Sequence, residues 1–194
     1  MRLLTLLLGL LLLPGSLWAQ EEGAREEPFR AQGTAAFLVK ASSVADADRL
    51  FVGGWAGLTL GDRILVAGGG MALTREVELS ASEASTGFEL GMGYGGVLIQ
   101  VRHPLTSRLR AHAGVLAGAG HAEVRDRLTS REVGADNFGV LEPEIGVGFS
   151  LLPWLQLNAT VGRRLVWWVE DLPLVQAEDL RGITGTFSLQ VGGL

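Results

Sequence analysis

NFGVLEPEIGVGFSLLPWLQLNATVGRRLVWW, residues 137–168, decides the fold. In its first arm the even positions are Glu142, Glu144, Gly146, Gly148 and Ser150, and the odd ones are Leu141, Pro143, Ile145, Val147 and Phe149. The second arm repeats the split, with Gln156, Asn158, Thr160, Gly162 and Arg164 against Leu155, Leu157, Ala159 and Val161. A strict period of two means a strand with one apolar face and one polar or small face. Runs of this length exceed the ordinary strand of about five or six residues. A three-residue break, Leu151-Leu152-Pro153, joins the arms into a hairpin.

Outward from this hairpin, no segment after Gly33 carries a helical period. Eight strand candidates appear instead, at 33–42, 50–60, 63–74, 87–101, 109–124, 137–150, 154–169 and 181–193. Short connections (61–62, 103–108, 151–153) alternate with longer polar ones (75–86, 125–136, 170–179), and 43–49 is shorter but also polar. Tight turns at one end of a sheet and extended loops at the other are the signature of an outer-membrane barrel. Gly61-Asp62 predicts a two-residue type II′ turn that pairs Leu60 with Arg63. That parity puts Phe51 and Trp55 on the inward face with Ile64 and Val66, and Leu65 and Met71 on the other. In the next strand, alternation sends Phe88, Leu90, Met92 and Tyr94 outward and Glu89, Gly91, Gly93 and Gly95 inward. The run Val97-Leu98-Ile99 then breaks the parity, which a bulge there would explain.

The N-terminus fixes the compartment. Arg2, the apolar run 3–13 and Ala19 after Leu17-Trp18 form a secretory signal peptide over residues 1–19, too short to span a membrane. Residues 20–32, acid-rich through Glu21, Glu22, Glu26 and Glu27, read as a disordered periplasmic lead-in to a barrel over 33–194. Lipid cannot hydrogen-bond a bare strand edge, so a spanning sheet must close on itself. The expected fold is all-β, an eight-stranded antiparallel up-and-down transmembrane barrel. Trp154 beside a short turn and Trp167 and Trp168 at the far end of the same strand mark two interfaces. About thirteen residues at roughly 3.3 Å each, tilted about 45°, climb about 30 Å. Arg163 runs against the pattern, because alternation turns it toward lipid.

Composition removes several function classes. The chain has 28 glycines among 194 residues, no cysteine and a net charge of −5. Disulfides, thiolate metal sites and a lipidated N-terminal cysteine are excluded, and no basic cluster offers a surface to nucleic acid.

In segments 51–60 (FVGGWAGLTL), 67–73 (AGGGMAL), 90–99 (LGMGYGGVLI) and 138–146 (FGVLEPEIG), the chain resembles the small eight-stranded outer-membrane barrels of the OmpA/OmpX type. More closely, it resembles an uncharacterised group of bacterial outer-membrane barrel proteins, over about residues 33–194. The resemblance implies insertion by the barrel-assembly machinery and contact with outer-membrane lipid, and it carries no established activity. Such barrels commonly end on an aromatic residue that this machinery reads, whereas this chain ends Gly192-Gly193-Leu194.

The inward positions collect Lys40, Arg110 and Arg164 against Glu89, Glu142 and Glu144. Buried charges must be paired and hydrogen-bonded, so these six are expected to form a lumen charge network that plugs the barrel, with Glu142 opposite or diagonal to Arg164. A gate or polar-ligand site is the sharper alternative. His103, His112 and His121 share one region but not one face, which excludes a common metal. A lipid hydrolase would draw on His121, Ser130 or Ser85, and Glu123, without any G-x-S-x-G elbow. Gly91 to Gly96 has no following helix to make it a nucleotide loop. The loop charges offer cell-surface contacts or divalent-cation bridges to lipid head groups. The expectation is a monomeric structural or surface-displaying barrel, with no cofactor and no catalysis. A narrow or gated pore and a lipid-modifying enzyme are the alternatives.

Overall fold

Long strands with one apolar face leave their edges open unless first and last strands meet, and here they do. The computed structural model describes residues 30–45, 47–79, 87–170 and 172–192. The strands are β1 (Ala31–Val44), β2 (Ala47–Leu60), β3 (Ile64–Leu73), β4 (Val77–Leu79), β5 (Phe88–Pro104), β6 (Leu109–Asp126), β7 (Glu132–Leu152), β8 (Leu155–Trp167) and β9 (Gly182–Gly192). All pairings are antiparallel, in the order β3-β2-β1-β9-β8-β7-β6-β5, and a β3–β5 pairing closes the ring of eight long strands. The three-residue β4 sits above the end of β3 and pairs with the top of β5. Closure runs through β1 and β9, from Thr34↔Gly192 to Ser42↔Thr184. The expected signal peptide, most of the lead-in, Ser85 and the last two residues lie outside the described residues.

The distribution of side chains is inverted relative to a protein in water. Phe37, Ile145, Ile183 and Phe187 are all more than 60% exposed on the outer wall, while Lys40, Glu142, Arg164 and Gln190 are almost completely buried inside. A continuous apolar belt around a polar interior belongs in hydrocarbon. Trp154 stands exposed at the turn end of the barrel. At the loop end Trp167 and Trp168 meet edge to face, with centroids 5.6 Å apart. Arg163 does point outward. It lies four residues below Trp167, near enough for its long side chain to carry the charge up to the interface.

Three sequence expectations are corrected. The β2–β3 turn has three residues, not two: Gly61 and Asp62 both take positive φ (55° and 57°), and Leu60 pairs with Ile64. A one-residue slip moves every side chain of a strand to the other face, so Leu65, Ala67 and Met71 point inward and Ile64 and Val66 face lipid. Gly69 then lies opposite Trp55, where an added Cβ would come within 2.6 Å of the Trp55 Cβ. The missing side chain makes room for the indole.

The parity of β5 is also reversed. Leu90, Met92 and Tyr94 are buried inside, and Glu89 faces out. No bulge occurs at Val97-Leu98-Ile99, since β5 pairs with β6 in unbroken register from Phe88↔Asp126 to Pro104↔Arg110. The reason is that the loop end of the interior is apolar. Phe51, Leu90, Val124, Phe138 and Val166 fill it beneath Leu172, Val175 and Leu180 of the β8–β9 loop. Large apolar residues therefore belong inside at that level, and Gly91, Gly93 and Gly95 are left on the wall.

Strand limits shift as well. β1 begins at Ala31, within the expected lead-in, and β1 and β2 are separated by only two residues. β6 and β7 extend into a hairpin whose loop is residues 127–131 rather than 125–136. Asp126 closes that loop by accepting from the amides of Leu128 (2.9 Å) and Thr129 (3.0 Å). These bonds, the Thr129 one foremost, hold its carboxyl below the ordinary value.

Val147 lies on the lipid face midway between the two tryptophan levels, opposite Ala111 and Ala159. Val147→Arg is expected to destabilise the barrel by about 2–4 kcal/mol, read as the shift in urea unfolding midpoint in liposomes. An unchanged midpoint would contradict the outward assignment.

Candidate functional site: the charged plug in the barrel interior

Half-way along the lumen, four strands contribute to one polar cluster. Lys40 on β1 and Glu142 on β7 are an ion pair with Nζ–Oε1 2.5 Å, and both side chains are at most 3% exposed. The Tyr94 hydroxyl donates to Glu142 Oε2 (2.8 Å), and Thr184 Oγ1 donates to Oε1 (2.9 Å). Lys40 Nζ also donates to Tyr94 Oη (3.3 Å). The Glu142 carboxylate thus accepts three hydrogen bonds, the arrangement that a buried charge requires. The alternation of β7 turns Glu142 inward, and the pairing of this strand to β8 lapses at Glu142 and Pro143. Pro143 has no N–H to give to that ladder.

Arg164 is fully buried but does not bond Glu142. Its Nε donates to Leu180 O (2.6 Å) and one Nη to Ser43 O (3.0 Å). The guanidinium lies over the rings of Phe51 (5.1 Å) and Tyr94 (5.5 Å). The side chain pins the β1 end and the β8–β9 loop to the apolar cap while its face stacks on aromatic rings.

Below the ion pair the interior is polar. Gln100 Nε2 donates to Glu144 Oε1 (2.6 Å), His112 Nε2 lies 3.1 Å from Thr160 Oγ1, and Gln156, Asn158, Ser188 and Gln190 form a hydrogen-bonded file. A cavity of about 30 Å³ remains, lined by Leu38, Trp55, Gln100, Glu144 and Asn158 among others. That volume admits water and nothing larger.

Of the six residues expected in the lumen network, Lys40 and Glu142 pair directly. Glu144, Arg110 and Arg164 are inside but apart from that pair. Glu89 is not in the lumen: it faces out at the loop end, 3.5 Å from Arg127. This follows from the reversed parity of β5, and the same reversal brings in two residues that the sequence reading missed. Tyr94 joins the central cluster, and Arg102, 4% exposed, lies near the turn end. Even positions from Phe88 to Arg102 carry the larger side chains almost throughout, so reading straight through Gly96 would have found both.

The hydrolase candidates do not assemble. His121 Nδ1 contacts Asn137 Oδ1 (3.1 Å) and Glu123 pairs with Arg125 (2.9 Å), both on the outer face. Ser130 belongs to the β6–β7 loop, beyond Asp126. His103 and His121 lie on the outer face toward opposite ends of the barrel and His112 lies inside, and no cluster with metal-ligand composition occurs among the described residues.

No family model matches the sequence, and no curated protein does. Solved structures do match. Neisserial surface protein A aligns over 84% of this chain and 96% of its own, at 15% identity and TM-score 0.55. Ail, the attachment invasion locus protein of Yersinia pestis, in complex with the heparin analogue sucrose octasulfate, aligns over 84% and 97% at 12% identity and TM-score 0.50. The fold is that of a small eight-stranded outer-membrane β-barrel. With the apolar belt and the tryptophans at both ends, this places the chain in the bacterial outer membrane, where barrels of this kind keep short turns toward the periplasm and long loops outside. The charged plug thus lies within the membrane-spanning part of this outer-membrane barrel.

Glu142→Gln would leave Lys40 charged and unpaired in the interior. A loss of about 3–5 kcal/mol is expected from equilibrium unfolding in liposomes. The double variant with Lys40→Met should recover part of it, and equal stability of single variant and parent would contradict the pairing.

Proposed function

We propose that this protein is a structural, surface-displaying outer-membrane barrel with a packed, salt-bridged lumen and no catalysis. The observation that carries this reading is the filling of the interior at the level of Glu142, from Lys40 on β1 across Tyr94 on β5 to Thr184 on β9. Above that level an apolar cap under the β8–β9 loop excludes water. The displayed elements are the extended β6–β7 hairpin and the charged loop ends, with ion pairs such as Arg125–Glu123 and Arg181–Glu178. We further propose that it is inserted by the barrel-assembly machinery and acts as a monomer in contact with outer-membrane lipid.

A gated pore is the second reading, favoured by the polar file that reaches from the periplasmic mouth to the Lys40–Glu142 pair. Planar-bilayer recording separates the two. The parent protein is expected to give no sustained conductance, and Glu142→Gln should open none because the apolar cap remains. Robust current from the purified parent would overturn the structural reading, and current that appears only in the variant would favour the gate.

A further inference from the structure

The lumen charges do not balance. With Glu89 outside and Arg102 inside, Lys40, Arg102, Arg110 and Arg164 stand against Glu142 and Glu144 alone. Glu142 is taken by Lys40, and Glu144 by the Gln100 amide. Arg164 donates to Ser43 O on β1 and to Leu180 O in the β8–β9 loop and lies over two aromatic rings, with its Nη1 left without a hydrogen-bond partner. The rest of the excess falls on Arg102 and Arg110, side by side at the periplasmic end.

These two belong to neighbouring strands and point to the same side. Arg102 pairs with His112 and Pro104 with Arg110 in the β5–β6 register, so the arginines are diagonal neighbours. Arg102 gives one Nη to Gln190 Oε1 (3.1 Å) and more distantly to Gln100 Oε1 (3.4 Å). Its other Nη is buried without a hydrogen-bond partner, and so is Nη1 of Arg110. Among the described residues neither has a carboxylate within ion-pair distance. Arg110 lines a depression of about 400 Å³ at the mouth, together with Arg108, Ser107 and Ser150.

Two guanidinium groups held side by side without a counter-charge oppose folding unless an anion joins them. Guanidinium donors are arranged to meet an oxyanion in bidentate fashion. We propose that the periplasmic mouth of the barrel binds a phosphate group, gripped by Arg110 from the depression, while the diagonal neighbour Arg102, which does not line the depression, adds its charge from the lumen. Arg108 and the hydroxyls of Ser107 and Ser150 complete the rim. The site faces the periplasm, so the phosphate is either a free ion or the head group of a phospholipid in the periplasmic leaflet. This inference does not depend on whether the barrel conducts.

The test is a titration of the purified, refolded protein in phosphate-free micelles, followed by 31P NMR and calorimetry. Inorganic phosphate and glycerophosphoethanolamine, a soluble phosphodiester head group, are the two probes, with chloride at matched ionic strength as control. Saturable binding of either probe is expected, with tighter binding of the first assigning a free ion and of the second a lipid head group. Arg110→Gln should weaken it at least tenfold, whereas Arg163→Gln, on the outer wall, should leave it unchanged. Because Arg110 is only partly buried, the variant is expected to fold, and heat-modifiable gel mobility verifies this. The probe and chloride comparison on the parent protein stands without any variant. Absence of saturable binding, equal displacement by chloride, or full affinity in Arg110→Gln would each overturn the proposal.

Discussion

Hydrocarbon offers no hydrogen bonds, and every other feature of this barrel is arranged around that constraint. The Thr34–Ser42 run of β1 and the Thr184–Gly192 run of β9 satisfy each other's backbone groups across nearly the whole chain length. Without that seam β1 and β9 would expose bare edges to lipid. Closure in turn defines an inside, and an inside forces the remaining choice of what fills it. Eight strands enclose a space just wide enough for side chains, so the choice of those side chains sets the character of the interior at each level.

The answer differs between the two ends. The loop end is filled by apolar residues and roofed by Leu172, Val175 and Leu180, and the turn end by amides, hydroxyls and charges. Lys40, Tyr94 and Glu142 stand at the boundary. A buried ion pair contributes little net stability but is costly to break, so its effect is chiefly to fix which strands face each other there. Arg164 does the same one layer higher by tying a β1 carbonyl and a loop carbonyl to the aromatic cap.

How much of this was legible in the sequence depended on contrast between the two faces of each strand. In β7 and β8 the lower strands alternate between branched apolar residues and polar or small ones, and their directions could be read directly. In β3 both faces are apolar or glycine, so direction rested on the length of one turn, and that turn takes in Arg63 as a third residue. In β5 the rule that apolar means outward failed because the upper lumen is itself apolar. Glu89 was consequently placed inside, and Tyr94 and Arg102 were missed. Lys40 was legible because a lone charge on a strand with an apolar outer face has only one tolerable direction, and Glu142 and Arg164 because they fall on the polar face of clearly alternating strands.

The claim most exposed to test is that β5 keeps one phase throughout, with even positions in the lumen and odd ones toward lipid. The protein has no native cysteine, so spin labels on single cysteines through Phe88–Pro104 in bilayers can be read by their accessibility to oxygen. The account predicts maxima at Gly93, Gly95, Val97, Ile99 and Val101 with no change of phase at Gly96. Maxima at Leu90 and Met92, or a phase shift in the middle of the strand, would contradict it.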